Sequence, residues 1–152
     1  MSWVEDRLEI LNLIASYSHA ADGTDPEAYA DCFTDDGAFV GRVGMPDESR
    51  IEGREALLRF STTAIARRVD GVQNRHIQTN TMVVEQTETT ARVKTYLLVM
   101  VSRGDQAPEP GLTSIYDDDL VKTERGWRIR LRRALPDRKG VLPRNAKPEQ
   151  KA

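Results

Sequence analysis

The hydrophobic pattern changes period about halfway along the chain, and that change restricts the fold more than any other feature. From Trp3 to about Arg68 apolar residues recur at helical spacing; from Val72 onward they come in β-rich runs separated by turn residues. Val4, Leu8, Leu11 and Ala15 share one face of a first helix, Trp3 to His19, and Trp3, Ile10, Ile14 and Tyr17 widen it into a broad apolar stripe. Gly23 is expected to end that helix in a left-handed conformation. Asp25-Pro26 reads as an N-cap with proline at the first helical position, starting a short helix to about Phe33. Thr34 to Gly37 reads as a turn, Ala38 to Val43 as a short strand followed by another, and Gly53 to about Arg68 as a third helix. Four longer strands follow, at Val72–Glu85, Ala91–Arg103, Leu112–Thr123 and Gly126–Ala134, with hairpin turns at 86–90 and 122–126. Helices first and an antiparallel meander second predict an α+β fold, its helices on one face of a curved sheet with a pocket between the two layers.

The length of 152 residues suits one domain. Residues 1–136 hold the patterned sequence, and 137–152, polar and broken by prolines, read as a basic tail. From Arg125 onward ten Lys/Arg face two acidic residues, so this end carries +8 and the rest −10 of a net charge of −2. With 22 basic and 24 acidic residues overall, nucleic-acid binding is not indicated. The longest apolar run, Tyr96 to Val101, is far below the roughly 20 residues that span a bilayer, so no membrane helix is expected. No secretory start is visible, which makes the cytoplasm the expected location. Cys32 is the single cysteine, and His19 and His76 are the two histidines, so neither a thiolate zinc cluster nor a three-histidine site is available. No dinucleotide or phosphate-loop motif is present. The reading is of chemistry done without cofactor or metal.

On the third strand region alternation places His76 beside Gln78, Asn80 and Met82, a face that is either solvated or lines a polar pocket. Asp25 has a capping role and Asp35 and Asp36 are turn residues, which leaves Asp22, just past a helix end, with the weakest structural explanation. Tyr17 and Asp22 would point roughly 140° apart on an unbroken helix. They converge if the helix stops near Ala21; otherwise Tyr17 is a core residue. Gln78 and Asn80 could hydrogen-bond into a cavity or serve the strand face. Tyr116 and Asp118 alternate on one strand, Arg132 reads as a structural ion-pair partner, and His19 as a surface residue. Phe60, Met82, Leu98 and Met100 read as core or cavity wall.

The segments Ile10–Tyr17, Asp22, Tyr29–Ala38, Ile51–Ala56, Arg75–Asn80, Tyr116–Val121, Gly126–Ile129 and Arg132, in that order and spacing, resemble the SnoaL-like branch of the nuclear transport factor 2-like superfamily. The resemblance covers about residues 3–135. It implies a cone-shaped α+β barrel, with three N-terminal helices packed on a strongly curved, mostly antiparallel sheet around an apolar cavity. It also implies cofactor-independent chemistry, as in the family's dehydratases, dehydrohalogenases, isomerases and polyketide cyclases. In the eliminating members an aspartate after the first helix orients a histidine on the third strand, and Asp22 and His76 fall on those positions. Tyr17 matches the spacing of a tyrosine in the bile-acid dehydratase.

The chemistry is physically reasonable. An imidazole accepts protons near neutral pH, and a carboxylate on its other nitrogen fixes the tautomer and stabilises the imidazolium. The resulting expectation is a lyase acting on a hydrophobic aromatic or polycyclic small molecule, of the dehydratase type by default, with loss of another small group or a retro-aldol release open to the same base. The catalytic residues would be His76, Asp22 and Tyr17, with Asn80, Gln78, Tyr116, Phe60, Met82 and Leu98 around the substrate. A ketosteroid-isomerase-like isomerase or a cyclase is the first alternative, and a non-catalytic binding or assembly module the second. The resemblance further implies a homo-oligomer, a dimer or else a trimer.

Overall fold

A computed structural model describes residues 2–66 and 71–137. Most of the basic tail and the end of the predicted third helix lie outside the described residues. The elements run α1 (Trp3–Asp22), α2 (Pro26–Asp31), β1 (Phe33–Gly41), β2 (Ser49–Glu52), α3 (Arg54–Ala66), β3 (Val72–Gln86), β4 (Thr90–Arg103), β5 (Glu109–Thr123) and β6 (Gly126–Pro136). The six strands form one sheet in the order β2-β1-β6-β5-β4-β3, antiparallel throughout except for the parallel pair β1/β6. This is the expected α+β cone with helices on a curled, mostly antiparallel sheet. The sheet does not close into a barrel, because β2 and β3 are left as its edges.

Local chemistry sets the helix ends. Ser2 Oγ accepts from the Glu5 backbone N–H at 3.3 Å, and Asp25 Oδ1 accepts from the Glu27 and Ala28 N–H groups at 3.0 and 3.1 Å, as capping side chains do. Gly23 departs from expectation: its φ of −82° and ψ of −162° are extended, not left-handed. Glycine is required for another reason, since a Cβ there would sit 2.9 Å from the His19 carbonyl oxygen. The predicted turn Thr34–Gly37 is instead part of β1, accommodated by a register shift between Phe33 and Ala38 against β6.

The buried face of α1 is only one side of the stripe read from the sequence. Ile10, Leu13, Ile14, Tyr17 and Ala20 are buried, whereas Trp3, Val4, Leu8 and Leu11 are exposed. Polar anchors decide this rotation. Asp6, only 5% exposed, accepts from the Trp127 indole Nε1 at 3.0 Å and from Lys122 Nζ at 2.7 Å. Glu9 accepts from the Trp127 backbone N–H at 3.0 Å. Trp127 is itself fully buried at the centre of a core that includes Phe33, Val93, Leu120 and Ile129. The hairpin β5–β6 thus takes hold of the polar side of α1 and turns Ile10, Leu13 and Ile14 onto the sheet.

Candidate active site

The end of α1 and the start of β3 meet through one carboxylate. Asp22 Oδ2 accepts from the His76 backbone N–H at 2.7 Å, and Asp22 Oδ1 lies 2.5 Å from His76 Nδ1. The aspartate side chain is 9% exposed and the imidazole 20%. An ionised carboxylate can only accept, so Nδ1 carries the hydrogen, and in the neutral ring Nε2 then keeps its lone pair.

His76 lies in the wall of a chamber of about 220 Å³ between the helices and the concave side of the sheet. Its aromatic walls are Tyr17 of α1, Tyr29 of α2, Phe39 of β1, Phe60 of α3 and Tyr116 of β5. Its polar members besides His76 and the three tyrosine hydroxyls are Ser61 and Asn74. Tyr17 Oη and Tyr29 Oη are 3.5 Å apart, and the Tyr17 ring meets Tyr116 edge-on at 5.8 Å. Burial pushes the hydroxyls of Tyr29 and Tyr116 well above the usual phenol range, so both remain protonated donors.

Beneath these phenols lies a buried ion pair. Arg132 and Asp118, both fully buried, are joined by Nε to Oδ1 at 2.8 Å and Nη2 to Oδ2 at 2.6 Å. The guanidinium carbon stands 3.9 Å from the Tyr17 ring centroid and 4.2 Å from that of Tyr116. Arg132 Nη1 has no hydrogen-bond partner, and the two ring faces take the place of an oxygen there. The sequence reading of Arg132 as an ion-pair partner matches this placement. The cation also fixes the planes of two chamber-lining tyrosines.

The structure brings together Asp22, His76, Tyr17, Tyr116 and Phe60. Tyr17 and Asp22 do so on a helix unbroken to Asp22, and they diverge as the helical angle requires. Tyr17 meets the other phenols, Asp22 meets β3, and His76 links the two. The remaining candidates sit elsewhere. Gln78 faces inward, but its amide nitrogen donates to the Ile14 carbonyl and to Ser18 Oγ, each at 2.7 Å, tying β3 to α1. Asn80 and Met82 do not reach the chamber. The ladder with β4 shifts between Thr79 and Met82, and Asn80 sits at that bulge with φ of +53°. The extra residue inverts the alternation. Thr81 therefore turns inward to accept from Thr95 Oγ1 at 3.2 Å, while Met82 is 56% exposed. Leu98 pairs with the exposed Ile77 on the convex face, opposite to the buried Leu97 and Val99.

Tyr29, Phe39, Ser61 and Asn74 were not singled out by sequence reasoning. Asn74 could have been found, since it lies two residues before His76 on the same strand and so on the same face. Cys32 is buried, and desolvation pushes its thiol up to about 11, which removes it as a nucleophile near neutral pH. Among the described residues no group of three His, Cys, Asp or Glu is placed to hold a metal ion, and no helix is long and apolar enough to cross a membrane.

Helices laid over the concave side of a curled sheet, with an aromatic chamber between, define an α+β cone of the small-molecule-processing kind. The model of the SnoaL-like domain matches residues 3–133, and the chain belongs to this family within the NTF2-like superfamily. No curated protein sequence matches. Among solved structures, a variant of Rv3472 from Mycobacterium tuberculosis, described as a protein of unknown function, is 30% identical, with a TM-score of 0.76 over 90% of this chain and 73% of that one. An NTF2-like protein with a cystatin-like fold from Novosphingobium aromaticivorans is 27% identical (TM-score 0.74, 94% of this chain and 86% of that one). A protein from Catenulispora acidiphila, solved in complex with S-DNPA, is 28% identical (TM-score 0.71, 86% and 92%).

Proposed function

We propose that this protein is a cofactor-independent lyase that removes water from a hydrophobic ring-containing hydroxyketone, with His76 as the base, Asp22 as its orienting carboxylate and Tyr17 as the donor to the leaving group. The observation that carries this reading is the pair of hydrogen bonds that Asp22 accepts from His76 at the wall of an aromatic chamber. In the reaction His76 Nε2 takes the proton beside the substrate carbonyl. The carbon–carbon double bond forms as the carbon–oxygen bond breaks, and the departing hydroxide takes the phenolic proton of Tyr17 to leave as water. The tyrosinate is then reprotonated by the imidazolium, which restores both groups. Asp22 stabilises the imidazolium while it lasts.

The chamber volume trims the substrate expectation. About 220 Å³ lies below the roughly 300–1,000 Å³ of common ligand sites. One or two fused rings fill that space. A larger polycycle requires Phe60 to yield, since Phe60 and Ala64 also border an outer groove of about 590 Å³.

The test is loss of water from 4-hydroxy-2-tetralone, which gives fluorescent 2-naphthol. Acceleration that His76→Ala abolishes supports the reading; equal rates with and without the protein refute it. We also propose a homodimer through the convex sheet face, where Ile77, Tyr96 and Leu98 form an apolar outward patch. Light scattering at twice the chain mass, falling to one chain mass in Tyr96→Asp, tests this.

A further inference from the structure

Ser61 is an anomaly in its helix. A hydroxyl in mid-helix ordinarily donates to the carbonyl four residues earlier, and its neighbours do so: Thr62 Oγ1 to the Leu58 carbonyl and Thr63 Oγ1 to the Arg59 carbonyl, each at 2.8 Å. Ser61 makes no such bond. It is 4% exposed, its hydroxyl has no hydrogen-bond partner among the described residues, and it lines the chamber. Its oxygen is not one of the polar atoms sealed off without a partner, so it opens on the chamber, where a guest can take the place of hydration.

Asn74 makes the same point from the opposite layer. It lies on β3 two residues before His76, and its backbone carbonyl accepts from the side chains of Gln73 and Arg75. Its side-chain amide has no partner among the described residues, although it too lines the chamber. Gln78, two residues beyond His76, is by contrast fully engaged with α1. Every other wall residue is aromatic or alanine, apart from the dyad's own His76.

The geometry points to Ser61 and Asn74 as a recognition pair that holds the carbonyl oxygen of a neutral one- or two-ring ketone, positioning the adjacent C–H for His76. Both side chains can donate to one oxygen, and neither carries charge. A neutral polar group in an aromatic enclosure selects for a ketone over the corresponding hydrocarbon, because the hydrocarbon leaves both donors unpaired. A carboxylate guest is disfavoured, since it would enter beside the Asp22 carboxylate and the chamber's described lining residues include no Lys or Arg. The inference rests on the proposed reading of the chamber as the substrate's place. Its test measures binding and not turnover, so the two fail separately.

The experiment is equilibrium dialysis of the full chain with 2-tetralone and with tetralin, its hydrocarbon counterpart. The parent protein is expected to prefer the ketone by about tenfold or more. Ser61→Ala and Asn74→Ala, made separately so that one folded variant suffices, are each expected to bring that ratio toward one while tetralin binding changes by less than about twofold. Equal affinities in the parent protein, no binding of either compound, or a ratio that survives both substitutions overturns the proposal.

Discussion

Asp22 grips His76 twice, through the backbone N–H with one carboxylate oxygen and through the imidazole Nδ1 with the other, at 2.7 and 2.5 Å. The two contacts set both the position of the strand and the orientation of the ring it carries. A single bond to the ring would leave β3, an edge strand, free to shift against the end of α1. The bidentate contact gives the ring a fixed tautomer and turns its free nitrogen over to other partners.

The tautomer can be observed without any substrate. In long-range nitrogen–proton NMR spectra, neutral His76 is expected as the Nδ1–H form. In Asp22→Ala the population should move toward Nε2–H. An Nε2–H ring in the parent protein would contradict the proposed base.

Tyr17 should act on the leaving group and not on the base. Tyr17→Phe is expected to slow water loss from 4-hydroxy-2-tetralone by about 10²–10³-fold, the scale of a lost transition-state donor. Deuterium uptake beside the carbonyl of 2-tetralone, which has no leaving group, should change by only a few fold. Equal losses in both assays would place Tyr17 on the carbonyl oxygen instead.

Arg132 and Asp118 form a pair whose halves depend on one another. Arg132→Met leaves the buried Asp118 carboxylate uncompensated and is expected to cost about 3–5 kcal/mol in denaturant unfolding. Arg132→Met with Asp118→Leu should recover most of that loss. The double variant also removes the cation between the rings of Tyr17 and Tyr116, so its stability can return while elimination stays slow.

Asp6 gives stability a pH dependence. The Lys122 ammonium, and then the Trp127 indole N–H, hold its carboxyl below the usual carboxylate range. A depressed folded-state value stabilises the fold above the unfolded value of about 3.9, and that contribution disappears as pH falls through the folded value. Asp6→Asn should therefore melt lower at pH 7 and lose less of its remaining stability on acidification below about pH 4. Thermal melts of both proteins across pH 2–7 check this.

Much of this architecture was readable from the pattern of residues, and the exceptions have physical causes. The change of period located the helices and the four long strands to within a few residues, because each strand alternates against a helical layer. Alternation also grouped His76 with Gln78 on one face, but left open whether that face met solvent or a pocket. It failed beyond Gln78, where Asn80 adopts a left-handed backbone and one extra residue inverts the side chains from Thr81 to Val83, until a second register shift before Glu85. Asparagine within an otherwise β-branched run was the available signal, since it tolerates that conformation better than most residues. The first helix misled for a different reason: it has two apolar faces, and the buried one is selected by Asp6 and Glu9 reaching Trp127, more than a hundred residues away in sequence. Ser61 could not have been found from spacing, because what distinguishes it from Thr62 and Thr63 is a hydrogen bond it does not make.

The most direct measurement is proton exchange catalysed by the chamber itself. In deuterium oxide, with no cofactor, the parent protein is expected to speed deuterium entry beside the carbonyl of 2-tetralone, read by proton NMR. His76→Ala should return the rate to that of buffer, and Asp22→Asn should lower it by about 10²–10⁴-fold. Uptake no faster than in buffer, or unchanged by removing the imidazole, contradicts His76 as the base.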